Sequence, residues 1–74
     1  MKITLKLFAT LREHGEKQQE IEVPDGATVL NVIEKSKLPV ESVSIIMING
    51  RGKKLHDTLS ENDVLALFPP VGGG

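Results

Sequence analysis

One amphipathic helix pattern stands among four or five strand patterns along this chain of 74 residues, and that order restricts the possible folds. Residues 2–8 alternate polar and apolar side chains, and residues 19–23 do so again. The alternation predicts two half-buried strands, and their closeness in sequence indicates a wide hairpin. Strands on both sides of a single helix favour an α+β fold in which the helix packs on one face of a sheet.

Thr28 marks the start of the predicted helix, which runs to about residue 37. Its hydroxyl suits the N-cap position, and the apolar residues that follow recur three and four positions apart. Pro39 closes the helix because proline disfavours helical geometry at the residue before it. We also expect a short helical turn over residues 9–15, after the first strand.

Further strands follow the helix, and the sequence predicts them over residues 43–48, 53–55 and 64–68. Asn49-Gly50 predicts a tight turn, and Pro69 ends the last strand because proline has no N–H for a ladder. The nearly unbroken apolar run at 43–48 leaves two alternatives open. Both faces of this strand are partly covered, or one face is an exposed apolar patch.

The core of so small a domain must be aliphatic, because the chain has no cysteine and two aromatic residues. It contains 6 Ile, 9 Leu and 7 Val. At about 1.5–3 kcal/mol per fully buried large side chain, this set is sufficient for a marginally stable domain. We predict one domain over residues 1–68 and a flexible tail of sequence Pro-Pro-Val-Gly-Gly-Gly over residues 69–74.

Composition argues against several classes of function. A net charge of −1 disfavours a sequence-independent nucleic-acid binder. No stretch approaches the roughly 20 apolar residues that span a bilayer, and the first residues do not resemble a signal peptide. The lack of cysteine fits a cytoplasmic location. His14 and His56 are isolated and predict no metal site, and no Ser/His/Asp or Cys/His set suggests an enzyme.

The glycines at 72–74 are the segment best suited to chemistry. Glycine has no Cβ, so a terminal Gly74 carboxylate can enter a narrow pocket of another protein. Pro69 and Pro70 favour an extended backbone, and six extended residues span up to about 20 Å. The alternative is a frayed chain end without function.

Four motifs carry a resemblance to a known family: residues 8–13 (FATLRE), 25–29 (DGATV), 48–50 (ING) and 62–74 (NDVLALFPPVGGG). With them the chain resembles the MoaD/ThiS-like ubiquitin-fold sulfur carriers, which include the small subunit of molybdopterin synthase and the thiamine-biosynthesis carrier. The resemblance extends over nearly the whole chain, with Gly72 where the family usually has Ala or Thr. It implies a ubiquitin-like β-grasp fold, with a four- to five-stranded mixed sheet and one main helix on one face.

The resemblance also implies a function for the tail. The carboxylate of Gly74 would be adenylated by a ubiquitin-activating-like adenylyltransferase and converted by a sulfur donor protein to a thiocarboxylate. The tail residues would thread into the partner's active site: Pro69, Pro70, Val71, Gly72 and Gly73. The chain would bind no cofactor beyond the transient acyl-AMP and thiocarboxylate at Gly74, and it would not itself be an enzyme.

The sulfur would then be used in molybdopterin synthesis for the molybdenum or tungsten cofactor, beside the large subunit of molybdopterin synthase. Three alternatives remain open. The first is thiamine thiazole synthesis, and the second is a protein modifier conjugated through Gly74. The third is an interaction module that does not use the tail, for which deletion of Gly74 would be harmless.

Strand parity predicts a partner-binding face on the sheet. If Val64 and Ala66 share the helix side with Ile3 and Leu5, the alternate residues of the last strand point to the opposite side. Exposed aliphatic side chains beside the tail would form a patch of the kind that marks partner sites. The predicted face consists of Phe8, Met47, Leu65, Leu67 and Phe68.

Overall fold

A computed structural model describes residues 1–70, so Val71, Gly72, Gly73 and Gly74 lie outside the described part of the chain. Within residues 1–70 the chain forms five strands, one α-helix and two short 3₁₀ helices. The first 3₁₀ helix (Ala9–His14) follows the first strand as predicted, and the second (Val40–Ser42) was not predicted. The remaining elements are β1 (Lys2–Leu7), β2 (Gln18–Glu22), α1 (Val29–Lys35), β3 (Ile45–Ile48), β4 (Arg51–Gly52) and β5 (Val64–Phe68).

The strands form a single mixed sheet in the order β2-β1-β5-β3-β4. Strand β1 pairs antiparallel with β2, as the predicted hairpin requires, and parallel with β5. Strand β3 pairs antiparallel with both β5 and β4. The last strand in sequence is therefore central in the sheet, which confirms the predicted α+β class and mixed β-grasp sheet.

Helix α1 begins at a capping box and ends at a Schellman motif. The Thr28 hydroxyl accepts a hydrogen bond from the Asn31 N–H (3.2 Å), and the Asn31 side chain accepts one from the Thr28 N–H (3.0 Å). At the other end, Lys37 has a positive φ of 59°, and the Leu38 N–H donates to the Ile33 carbonyl. The left-handed residue ends the helix at Lys35, two residues earlier than predicted.

The core lies between the sheet and α1. Val29, Val32 and Ile33 of the helix are fully buried, and the inward residues of β1 and β5 join them. The most deeply buried strand residues, each at most 1% exposed, are Ile3, Leu5, Leu7, Leu65 and Leu67. No helix in the described part of the chain is long and apolar enough to cross a membrane.

The prediction that Leu65 and Leu67 lie on the outer face is wrong. In the parallel ladder Leu5 is opposite Leu65 and Leu7 is opposite Leu67, and residues in register share a face of the sheet. Both leucines therefore point into the core. The smaller alternate residues, Val64 and Ala66, take the outer side.

The β3–β4 hairpin forms at the predicted turn, but its two strands begin at other residues than predicted. Asn49 and Gly50 both have positive φ (54° and 82°), as a type I′ turn requires. Strand β4 therefore starts directly at Arg51 and not at residue 53. Strand β3 starts at Ile45, two residues later than predicted, because the second 3₁₀ helix precedes it.

A polar clamp ties this turn to the start of β5. The Asn49 side-chain amide donates to an Asp63 carboxylate oxygen and accepts from the Val64 N–H, both at 2.9 Å. Asn62 has a positive φ of 69°, a left-handed conformation that asparagine tolerates in the turn before the strand. The clamp holds the central strand in register with β3.

The buried leucines of β5 should be essential for stability. We expect Leu65→Ala to lower the free energy of unfolding by about 2–5 kcal/mol, because the side chain is fully buried and its loss leaves a cavity. Val64→Ala on the outer side of the same strand is the matched control and should cost clearly less. Urea unfolding followed by circular dichroism measures both, and equal losses would contradict the assigned faces.

Candidate partner-binding face

The sheet face opposite α1 carries the candidate site. On this face, the strand residues that alternate with the core residues point outward. In the β3–β5 ladder, Ile45 lies opposite Phe68 and Met47 lies opposite Ala66. Among the large hydrophobic residues of the described chain, Ile45 is the one that is exposed, at 42%. We call the following outward residues the apolar patch: Phe8, Ile45, Met47, Val64, Ala66 and Phe68.

Two aromatic rings form the firmest part of the apolar patch. The rings of Phe8 and Phe68 are stacked, with centroids 4.4 Å apart and planes 11° from parallel. The Phe8 N–H donates to the Leu67 carbonyl (3.2 Å), which extends the parallel pairing one residue past β1 and aligns the two side chains. Both rings are half-buried, so the stack leaves apolar surface for contact with a partner.

Arg12 adds a cation at the rim of the aromatic stack. Its Nε donates to the Leu7 carbonyl (3.1 Å), and its guanidinium carbon lies 5.9 Å from the centroid of the Phe8 ring. The first 3₁₀ helix holds it there, anchored by the buried Leu11. The sequence reasoning assigned Arg12 no role, although residue 12 lies within the motif at 8–13.

The chain leaves the sheet beside this stack. Phe68 is the last residue of β5, and Pro69 cannot donate to a ladder, so regular pairing ends at the predicted position. We call Pro69 and Pro70 the stem. Because β5 is central in the sheet, the stem departs from between β1 and β3, next to the apolar patch.

The other half of the outer face is charged. Lys2 and Lys6 of β1 alternate with the core residues, and Glu22 lies opposite Lys2 while Glu20 lies opposite Thr4. The apolar patch therefore ends at β1, and the outer face over β1 and β2 is polar. An apolar centre with a polar margin is typical of surfaces that bind proteins.

The structure brings together part of the predicted site. Phe8, Met47 and Phe68 lie on one face, next to Pro69 and Pro70. Leu65 and Leu67 are buried beneath that face, and the predicted tail residues from Val71 to Gly74 lie outside the described part. Strand parity missed Val64 and Ala66; the larger size of the alternating leucines favours the core for them but does not decide it. That the patch binds a partner remains a prediction.

Comparison with known proteins identifies the family. The model of the ThiS family matches residues 5–74, which is nearly the whole chain and includes the glycines. The chain belongs to the ThiS family. No curated protein matches this chain, but several solved structures do.

Two archaeal structures resemble this ThiS-family member over almost their full lengths. A putative molybdopterin converting factor, subunit 1, from Pyrococcus furiosus is 35% identical, with a TM-score of 0.79 over 95% of this chain and 98% of the other. Small archaeal modifier protein 1 of Haloferax volcanii is 26% identical, with a TM-score of 0.75 over 95% and 98%. The predicted MoaD/ThiS-like, ubiquitin-like fold is confirmed.

A third structure shows a similar fold in an assembly. It is a protein–protein complex of subunits 1 and 2 of the molybdopterin-converting factor from Helicobacter pylori. The matching chain is 23% identical, with a TM-score of 0.67 and full coverage of both chains. At this identity the likeness concerns the fold alone.

The aromatic stack should contribute a measurable coupling to stability. We expect a double-mutant cycle of Phe8→Leu and Phe68→Leu to give a coupling energy of about 0.5–1.5 kcal/mol, because each change removes the same ring–ring contact. Urea unfolding of the single and double variants measures it. The control cycle combines Phe8→Leu with Leu55→Ala. Leu55 packs against the core, and the stability losses of these two changes should be additive. A coupling near zero for the phenylalanine pair would contradict the stack.

Proposed function

We propose that this ThiS-family member is a sulfur carrier whose Gly74 is adenylated, converted to a thiocarboxylate and used to donate sulfur in molybdopterin biosynthesis. The observation that carries the proposal is the position of the stem, which leaves the central strand next to the apolar patch. A partner that docks on the patch is thereby adjacent to the stem. The family match through residue 74 and the 35% identity to the Pyrococcus furiosus protein support the same function.

The chemistry requires activation, because an α-carboxylate is ionised at neutral pH and is a poor electrophile. In the proposed sequence the Gly74 carboxylate attacks the α-phosphate of ATP and releases pyrophosphate. The terminal sulfur of a persulfide on the donor protein then attacks the acyl carbonyl, forms the C–S bond and displaces AMP. A thiol next reduces the S–S bond to the donor and ends in a disulfide, which leaves a thiocarboxylate on Gly74 with sulfur in place of one carboxylate oxygen. That sulfur is the nucleophile in the next step.

This chain would contribute binding to these reactions and not catalysis. The proposed partners supply the reactive groups: an adenylyltransferase resembling ubiquitin-activating enzymes, a sulfur donor protein and the large subunit of molybdopterin synthase. The Helicobacter pylori complex joins subunits 1 and 2 of its molybdopterin-converting factor, and we propose an equivalent large-subunit partner for this chain. The cytoplasm is the proposed location.

Docking energy has to offset the ordering of the tail. Immobilising a glycine-rich segment costs on the order of 1–2 kcal/mol per residue. Pro69 and Pro70 reduce the cost because the φ angle of proline is already restricted. Burial of the apolar patch against a partner would provide the remainder, at about 25 cal/mol per Å² of apolar area.

A protein modifier is the second candidate, favoured by the similarity to small archaeal modifier protein 1 over 95% of this chain. In that function the activated Gly74 would form an isopeptide bond with a lysine amine of a target. Activation is common to the two functions, and the acceptor distinguishes them.

Intact mass spectrometry of the protein purified from its host tests the sulfur carrier. We expect a population heavier by the exchange of one oxygen for one sulfur, and that population should be absent from a variant that lacks Gly74. Conjugates with other proteins, without the sulfur form, would support the modifier and overturn the carrier. Full activity of the variant without Gly74 would overturn both.

The apolar patch should determine affinity for the large subunit. We expect Ile45→Glu to weaken binding about tenfold or more, because it places a charge within an apolar contact. Gln18→Glu is the matched control, since it adds the same charge on the same face outside the patch. Isothermal titration calorimetry measures both, and thermal unfolding verifies the fold. Equal affinities of the two variants would place the interface elsewhere.

A further inference from the structure

A cleft of about 600 Å³ opens at the β4 edge of the sheet. Its walls are the start of β3 and the segment that follows β4, among them Ile45, Lys53, Lys54 and Asp57. Apart from Ile45, which also belongs to the apolar patch, the carrier function proposed above does not use this region. Lys53 and Lys54, together with Arg51, form a short basic cluster directly after the Asn49-Gly50 turn.

The cleft exists because β4 is too short to flank all of β3. Strand β4 pairs with Met47 and Ile48, and the Lys53 N–H then donates to the Ile46 carbonyl (2.9 Å). Beyond that bond the chain turns away from the sheet towards α1. The Leu55 carbonyl accepts from the Leu30 N–H (2.9 Å), which holds the departing segment against the helix.

A charged turn forms the far wall of the cleft. The Lys54 N–H donates to an Asp57 carboxylate oxygen (2.8 Å), and the Asp57 N–H donates to the Lys54 carbonyl (3.1 Å). The Asp57 carbonyl accepts from the Val29 N–H at the start of the helix (3.1 Å). These bonds hold the backbone of the turn in place while the lysine side chains remain exposed.

The lining combines an apolar side chain with an excess of positive charge. Ile45 is 42% exposed, and Lys53 and Lys54 are both exposed. Across residues 1–70 neither lysine forms a salt bridge with a carboxylate. Asp57 offsets one of the two positive charges, so the lining keeps a net positive charge. The complementary surface is therefore acidic and partly apolar.

We propose that this cleft binds an extended acidic segment of a partner protein. Side chains of an extended chain point alternately to opposite sides, so one set can contact Ile45 while the other pairs with the lysines. Two lysines beside an isoleucine suit carboxylates better than a nucleic-acid backbone, because the chain as a whole is slightly negative.

The cleft adjoins the apolar patch without depending on it. Ile45 lies opposite Phe68 in the β3–β5 ladder, so its side chain is shared between the two surfaces. A partner that covers the patch can therefore extend an acidic segment along the β4 edge. The proposal holds whether or not Gly74 carries sulfur, and the test below uses no reaction at the tail.

The test is a titration of ¹⁵N-labelled protein with a capped heptapeptide that alternates valine and aspartate. We expect amide shifts concentrated at Ile45, Ile46, Lys53 and Lys54, and an affinity that falls as salt rises. The same peptide with asparagine in place of aspartate should bind about tenfold more weakly, because the charge pairs are lost. Equal binding of the two peptides, or shifts confined to the outer face of β5, would overturn the proposal.

Charge reversal in the protein supplies the second arm. The double change Lys53→Glu/Lys54→Glu should weaken binding of the aspartate peptide about tenfold or more. The control Lys17→Glu/Lys35→Glu alters the net charge equally at exposed positions elsewhere and should leave the affinity unchanged. Thermal unfolding confirms that both variants fold. A loss of the same size in both would show a general charge effect and overturn the proposal.

Discussion

The parallel pairing of β5 with β1 is the interaction on which the rest of the structure depends. It joins the two strands that are farthest apart in sequence and sets Leu5 beside Leu65 and Leu7 beside Leu67 under the helix. A parallel pair cannot form through a tight turn, so the helix and the β3–β4 hairpin have to lie between the two strands. The core, the central place of β5 and the exit of the stem all follow from this one contact.

Strand β5 serves two purposes because it is apolar on both sides. Its leucines fill the core, and its smaller Val64 and Ala66 cover the middle of the outer face with Phe68 at the end. A buried parallel strand normally has both faces covered by other elements. Here the described chain covers one face with a helix and leaves the other to the half-buried patch. The uncovered face is the physical reason to expect a partner there.

The aromatic stack links this surface to the segment that matters for the proposed chemistry. Phe68 is both the last strand residue and a member of the Phe8–Phe68 stack, so the start of the stem has a rigid anchor. In the proposed function, this rigid anchor would lower the ordering cost that a docking partner has to offset. The β4-edge cleft extends the same surface through Ile45, which belongs to both regions.

The sequence by itself determined the family and the elements, apart from the second 3₁₀ helix. Alternation, the Thr28 cap, the Asn49-Gly50 turn and the motifs ending at Gly74 are local signals, and each was interpreted correctly as to type, with boundaries in error by up to three residues. The tertiary structure alone decided which side of β5 is buried. Both sides of that strand are apolar, so parity within the strand has two solutions. Only its register beside β1, a contact between residues some sixty positions apart, selects the leucines for the core.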